Sequence, residues 1–185
     1  MLIDITFPIT AEIAQADPSS TNKALAGHLG THFDVMDKEF PLEYTIRKGI
    51  IFDVSTVCDR DITEEDIDLA KVDKDMFVVL YSGYIEQVPY GSKPYFKEHP
   101  QLSFALIEAL VNKGVSVIGL DFGGIRRAPE HVLADQRCAD RGVFIVENLC
   151  NLKTLLAQKR PFCVYTFPMN YIGLTGLPCR VIAET

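Results

Sequence analysis

The chain has 185 residues, enough for one domain with a substantial core. Its formal net charge of −7, with no Lys/Arg cluster, argues against a nucleic-acid face and against binding to an anionic membrane surface. No apolar run approaches a bilayer-spanning length, and "MLIDITFPIT" lacks the basic and long apolar regions of a secretory signal, so a cytoplasmic location is expected.

In chain order, "LIDITF" alternates apolar and polar residues and reads as an opening strand. Residues 9–48 carry few regular signals, and a long irregular stretch in a compact domain is usually functional or wraps a neighbour. "GIIFDVSTV" (Gly49 to Val57) is a strand rich in β-branched residues. "DITEEDIDLAKV" reads as a helix, with Thr63 as N-cap and acidic residues in the first turn, where the helix dipole favours them. "MFVVLYSG" is a near-continuous apolar run, expected as a strand buried on both faces.

Ser103 can cap a helix whose Phe104, Ile107, Leu110 and Val111 share a face, with Gly114 just past its end. "VSVIGLD" is a buried strand that ends at Asp121, before a Gly-Gly loop. "PEHVLADQRCADRG" predicts a helix, with Pro129 near its first turn and Gly142 after it. "VFIVEN" is a strand, followed by a short helix around Leu152 to Ala157. "FCVYTF" and "PCRVIA" are late strands. Strands and helices alternate in the middle and strands cluster at both ends, which predicts one α/β domain over residues 1–185 with a mixed sheet. The five cysteines, Cys58, Cys138, Cys150, Cys163 and Cys179, form no CxxC pair and read as reduced, mostly buried thiols.

The segment "AGHLGTHFDVMDKEF", Ala26 to Phe40, holds two of the four histidines. Neutral imidazole and carboxylate together suit zinc, manganese or iron, and His28, His32 and Asp34 offer three such groups. On a helix His28 and His32 would share a face while Asp34 points away. On a strand all three share a face, but His28 and Asp34 lie about 20 Å apart at ~3.3 Å per residue. The segment must bend to bring them to one ion, and Gly30 is placed to allow it. The other reading is a surface loop whose histidines bond to backbone and water. A real site also needs distant ligands. Glu147, at the end of the strand "VFIVE", is the foremost candidate. His131, on a helix beside Glu130, reads as solvated, and His99 as a loop or capping histidine.

"HLGTHFD" closely resembles the opening of the HxGTHxDxPxH motif of the cyclase family, which includes metal-dependent kynurenine formamidases and isatin hydrolases. "FPLEYTIRKGIIFDVS", "DMFVVLYSGYIE", "HPQLSFALIEALVNKGVSVIGLDFGGI", "RGVFIVENLCNL" and "GLPCRVIAE" follow in family order over nearly the whole chain. The resemblance implies mixed sheets packed with helices, of the swivelling β/β/α type, and a homodimer or higher homo-oligomer. It implies a site for one or two divalent ions, most commonly zinc with manganese or iron as alternatives. There, water attacks the carbonyl of a formamide or a cyclic amide. On this chain it assigns His28, His32, Asp34 and Glu147 as metal ligands and gives Thr31 a supporting role.

Three family positions depart from the motif, two of them imidazole positions. The motif proline is Met36, and without a gap the last motif histidine aligns with Lys38. The late histidine, twelve residues before the glutamate, aligns with Asp135. In one account a single ion stays on His28, His32, Asp34 and Glu147 while Lys38 supplies the charge of a second ion and polarises a substrate carbonyl. In the other, Lys38 pairs with Asp135 or Glu147 and replaces the metal, leaving a noncatalytic binding or structural protein. Glu147 or Asp135 would exchange the proton. Arg126 and Arg127, after the Gly-Gly loop, either grip a substrate carboxylate or form a solvated pair. Phe33, Phe122 and Tyr84 are candidate pocket walls. The expectation is an arylformamidase-like hydrolase acting on a small-molecule amide, with tryptophan catabolism as the family's best-known setting.

Overall fold

Phe77 to Tyr81 is buried at every position, so both of its faces need cover. The computed structural model describes residues 1–15 and 26–185, and part of the irregular stretch read at 9–48 lies outside the described residues. The strands are β1 (Leu2–Asp4), β2 (His32–Asp34), β3 (Ile46–Asp53), β4 (Phe77–Tyr81), β5 (Val117–Leu120), β6 (Phe144–Glu147), β7 (Phe162–Pro168) and β8 (Gly176–Glu184). The helices are α1 (Ala11–Gln15), α2 (Tyr84–Gln87), α3 (Lys93–Lys97), α4 (Phe104–Lys113), α5 (His131–Ala139) and α6 (Leu152–Leu156). No helix among the described residues is long and apolar enough to cross a membrane.

Strands β3, β4, β5 and β6 run parallel as neighbours. Antiparallel β2 joins β6 to β8, and antiparallel β7 joins β3 to β8. The sheet thus closes on itself as a mixed, barrel-like ring of seven strands, with β1 added along β8. Closure removes the open edges that invite aggregation. The two faces of β4 separate the core. Val78 and Leu80 pack outward with Leu106, Ile107, Leu110 and Val111 of α4 and with Ala134 and Cys138 of α5. Phe77, Val79 and Tyr81 point inward with Phe33, Phe144, Val164 and Val181. Each such large side chain contributes roughly 1.5–3 kcal/mol when taken from water.

Local signals explain most boundaries. Ser103 accepts from the Leu106 N–H at the start of α4, and Gly114 closes it in a left-handed conformation. The stretch "DITEEDIDLAKV" does not form a helix. It makes two short 3-10 turns, Glu64–Asp66 and Leu69–Lys71. Asp66 caps back onto the Thr63 N–H at 2.8 Å, and Asp68 starts a second turn by accepting from Ala70. Side chains that bond to nearby backbone compete with continuous helix in this way. The parallel strands deliver Ser82, Asp121 and Glu147 to one end of the sheet, the carboxyl end, where open α/β sheets place their sites.

Candidate metal centre

The histidine segment bends and then becomes an interior strand. Gly30 adopts φ +73°, after which His32 to Asp34 pairs with β6 on one side and β8 on the other. His32 and Asp34 are two positions apart, so they share a strand face. The bend returns His28 to that face. His28 Nδ1 lies 3.0 Å from Asp34 Oδ1, His32 Nε2 lies 3.5 Å from the same oxygen, and the two imidazole nitrogens are 3.0 Å apart. Register places His32 opposite Glu147 on β6, and its Nε2 is 3.6 Å from Glu147 Oε2.

Helix α5 approaches the same carboxylates. His131 and Asp135 are one turn apart on its inner side, with His131 Nε2 2.9 Å from Asp135 Oδ2 and 3.6 Å from Glu147 Oε1. Glu147 therefore presents one oxygen to His32 and the other to His131. His131 can enter because residue 124 is glycine. A Cβ there would stand 2.4 Å from His131 Nδ1, and the φ of +131° suits no other residue well.

Each imidazole is tied at the nitrogen that faces away from the cluster. His32 Nδ1 donates to the Gly30 carbonyl at 2.9 Å, and His131 Nδ1 donates to the Arg126 carbonyl at 3.1 Å. His28 Nε2 bonds to Thr175 Oγ1 at 2.8 Å. A carbonyl can only accept, so those bonds fix the proton on the outer nitrogen and leave the inner one to face the carboxylates.

Behind β2, Thr31 Oγ1 accepts from the Phe7 N–H and donates to the Asn148 carbonyl. Asn148 Nδ2 donates to the Gly30 carbonyl at 2.9 Å, while Tyr95 donates to Asn148 Oδ1 at 2.7 Å. The bend at Gly30 is thus clamped from both sides, and Tyr90 accepts its N–H. Tyr84, Tyr90, Tyr95 and Phe96 form a connected aromatic group beside this clamp.

The electrostatics follow from burial. Asp34, Asp135 and Glu147 are each no more than 5% exposed. Burial alone would raise the Asp34 carboxyl, but the charge of His32 and hydrogen bonds from His28 and His32 outweigh it and hold it well below the usual carboxylate range. Burial likewise raises Asp135, and the bond from His131 only partly offsets it, leaving it at about 6. Burial would lower His131, yet its bond to Asp135 and the charges of Asp135 and Asp34 push it up to about 9.

Other sequence candidates lie elsewhere. Lys38 is not at the cluster. Its Nζ is 2.8 Å from Asp140 Oδ1 and 3.0 Å from Asp37 Oδ1, with about a third of the side chain exposed. The reason is the turn after β2, where Met36 takes φ +56° and the Lys38 N–H returns to the Val35 carbonyl. Both accounts that placed the Lys38 ammonium among the site carboxylates are therefore corrected, and His131 is the basic group found there. Arg126 is buried and engaged, donating to Asp61 Oδ2 at 2.6 Å, Glu130 Oε2 at 2.5 Å and the Leu102 carbonyl at 2.7 Å. With four of its five N–H donors engaged, it braces the Gly-Gly loop. Arg127 is half-buried, its N–H bonded to Gln101 Oε1. Phe33 packs on Phe40 in the core, and Phe122 stacks on the buried His99. Tyr84 alone of the three proposed walls joins the half-buried aromatic group. His131, Thr175 and Asn148 are the site residues that sequence reasoning passed over.

The donor atoms fit a divalent ion. Ligand atoms about 2.0–2.1 Å from a tetrahedral centre are about 3.3 Å from one another. The inner nitrogens of His28 and His32 and Oδ1 of Asp34 are separated by 3.0, 3.0 and 3.5 Å. Among the described residues Asp34 Oδ2 has no hydrogen-bond partner, and a buried oxygen in that state is costly unless a cation or proton completes it.

Residues 3–126 match the Cyclase family. Among solved structures, the chain is similar to a potential metal-dependent hydrolase with cyclase activity, at 22% identity and a TM-score of 0.75 over 99% of this chain and 96% of that one. It is similar to isatin hydrolase A from Labrenzia aggregata bound to benzyl benzoate, at 18% identity and a TM-score of 0.76 over 100% of this chain and 93% of that one. Isatin hydrolase A from Ralstonia solanacearum gives 16% identity and a TM-score of 0.71 over 99% and 91% of the two chains. At these identities the likeness establishes the fold. No curated protein matches the chain.

Proposed function

The chain belongs to the Cyclase family, and on that premise we propose that it is a metal-dependent hydrolase of a linear or cyclic amide, with an arylformamidase-type substrate the leading candidate. The observation that carries this reading is the set of inner nitrogens of His28 and His32 converging on Asp34 Oδ1, with the outer nitrogens tied to Thr175 and to the Gly30 carbonyl. His28, His32 and Asp34 would hold the ion. A divalent ion supplies, when bound, polarisation of a carbonyl and a lowered pKa for water.

The chain's own residues supply the rest. Glu147 sits between His32 and His131 and is placed to accept a proton from attacking water and return it to the leaving nitrogen. His131, with its outer nitrogen held by Arg126, presents a donor at the developing oxyanion when it is protonated. The half-buried Tyr84, Tyr90 and Phe96 around Tyr95 offer an aromatic wall, which supports an aryl amide over an aliphatic one. A homo-oligomer, as the family resemblance implies, is part of the same reading.

Metal analysis of protein purified without chelator, followed by assay on formanilide and on a cyclic amide such as isatin, tests the proposal. One or more equivalents of zinc, manganese or iron with hydrolysis of either substrate is the expected result. Absence of stoichiometric metal, together with no hydrolysis after metal addition, defeats it.

A further inference from the structure

The aromatic group borders the histidine and carboxylate cluster across two consecutive glycines. A Cβ at Gly123 would lie 3.4 Å from Tyr95 Cε1 and 3.5 Å from Phe96 Cδ1, whereas one at Gly124 would meet the His131 ring. Asn148, which accepts from Tyr95, directly follows Glu147 in the chain. The negative charge of Glu147 acts on the hydroxyls of both Tyr90 and Tyr95.

The three tyrosines of this group use their hydroxyl protons differently. Tyr95, fully buried, donates to Asn148 Oδ1 at 2.7 Å. Tyr84 donates to the Pro94 carbonyl at 3.0 Å. Tyr90 Oη accepts the Gly30 N–H at 2.8 Å, and its own proton meets no acceptor among the described residues. A phenol oxygen both accepts and donates, and a bond received strengthens the bond it can give. The Tyr90 ring is held by Phe7, Tyr95 and Phe96, with ring centres 4.7, 5.3 and 6.0 Å away. The donor is therefore fixed in place before any ligand arrives, and its half-buried position leaves it reachable. Burial raises the phenol against the bond from Gly30, and the charge of Glu147 adds to the rise, so the proton is retained at neutral pH.

We propose that Tyr90 is a specificity-determining residue of the pocket, whose hydroxyl donates to an uncharged carbonyl oxygen of an aryl-amide substrate while its ring and that of Phe96 flank the aryl group. The inference rests on the amide-hydrolase reading above and names the residue that selects within it. An unused O–H donor asks for an acceptor, which disfavours a purely hydrocarbon ligand. The neighbouring Glu147 charge opposes a carboxylate at the same place, which leaves an uncharged carbonyl. Tyr90 is anchored on the ligand bend at Gly30, so an acceptor held there lies beside the histidine cluster. A bond made equally in substrate and transition state governs binding and leaves turnover unchanged.

The test compares full-length wild type with Tyr90→Phe, which keeps the ring and removes the hydroxyl. Three quantities are read: Zn²⁺ affinity by calorimetry, kcat and KM of the Zn²⁺-loaded proteins for formanilide and isatin, and their calorimetric affinity for benzamide, a poorly reactive aryl amide. Tyr90→Phe should raise KM and weaken benzamide binding about threefold to tenfold, the range of one neutral hydrogen bond, with kcat and Zn²⁺ affinity unchanged. Toluene, which has no acceptor, should bind both proteins alike. Weaker Zn²⁺ binding in Tyr90→Phe, with KM and benzamide affinity unchanged, makes Tyr90 only a brace of the Gly30 bend and overturns the inference. A fall in kcat at constant KM also overturns it, because the bond would then belong to the transition state. If wild type hydrolyses neither substrate, the hydrolase reading fails and the benzamide arm still decides Tyr90. Tighter benzamide binding by wild type upholds the hydroxyl as an aryl-carbonyl donor, and equal binding overturns it. Neither hydrolysis nor benzamide binding by wild type overturns both.

Discussion

The two ends of helix α5 carry the same kinds of side chain and do opposite things. At its start, His131 and Asp135 face Asp34 and Glu147, and all three carboxylates are buried. At its end, Lys38 and Gln136 each donate to both Asp140 and Asp37 at distances of 2.7–3.0 Å, in the open. Distance alone does not separate them. The outer group has its oxygens occupied and water around it, so each partner is replaceable. In the inner group, Asp34 Oδ2 and Asp135 Oδ1 find no hydrogen-bond partner among the described residues. Burial converts the same charges from surface decoration into a demand for a cation.

Asp34→Asn should break the comparison most severely. Both His28 and His32 converge on Asp34, and an amide there offers no negative charge. Stoichiometric metal should disappear, read by elemental analysis. Removing one partner from a buried ionic group also costs several kcal/mol, so the metal-free variant should unfold about 3 kcal/mol more easily in urea. Retention of full metal content would mean that Asp34 is a spectator.

The next largest effect is a pH dependence carried by buried groups. Burial pushes the His99 imidazole down to about 4, against about 6.5 for an unfolded histidine. Between those values the unfolded chain binds more protons. Stability from this group is therefore present in full above about 6.5 and is lost as pH falls through the window, by about 3 kcal/mol at most. Asp121 has the opposite sign. Burial raises it to about 6 despite bonds from Ser82 and Gly83, so its contribution is present at low pH and is lost as pH rises through about 6. Across pH 7 to 4, His99→Asn should lose less stability on acidification than wild type, read as urea midpoints, because only the His99 contribution is removed. Parallel slopes would show that His99 stays neutral for another reason.

Thr175→Val should produce a more modest and more specific loss. Thr175 holds the outer nitrogen of His28, and residues that hold a ligating histidine in this way typically govern about 10–100-fold of metal affinity. Calorimetric titration with Zn²⁺ should show that weakening in Thr175→Val, and Thr175→Ser should restore the affinity. Weakening in both variants would point to packing, not to the hydroxyl.

The sequence made much of this legible, and the failures have a common physical origin. Apolar runs located β4, β5 and β6, and Ser103 with Gly114 marked both ends of α4, because those signals are local. The bend at Gly30 followed from the reach of a strand. Closure of the ring through β7 and β8 was not readable, since it depends on pairing between distant segments. His131 was missed although its i,i+4 relation to Asp135 was in plain view. Neighbouring Glu130 suggested a solvated face, whereas the Gly124 turn that admits the ring is set by three-dimensional packing. Asn148 gave no sequence signal, and its work depends on φ +59° at the end of β6.

Lys38 is the sharpest case, and it yields the smallest expected effect. The motif proline would hold φ near −65°, but residue 36 here is Met at φ +56°. No proline can adopt that turn, so losing the proline and redirecting residue 38 are one change of backbone, not two independent substitutions. Asp140, where Lys38 arrives, is five residues past Asp135. At 100° and 1.5 Å per residue, that is about 140° around the helix and about 7.5 Å along it. The ammonium is therefore stationed on a different side of α5 from Asp135. Lys38→Ala and Asp140→Asn should leave metal stoichiometry and urea midpoint unchanged, within error, at physiological ionic strength. The inner-group Asp34→Asn serves as the contrasting variant. If Lys38→Ala instead lowered metal content as Asp34→Asn is expected to, the outer and inner groups would be coupled, and burial alone would no longer explain why one of them is a site.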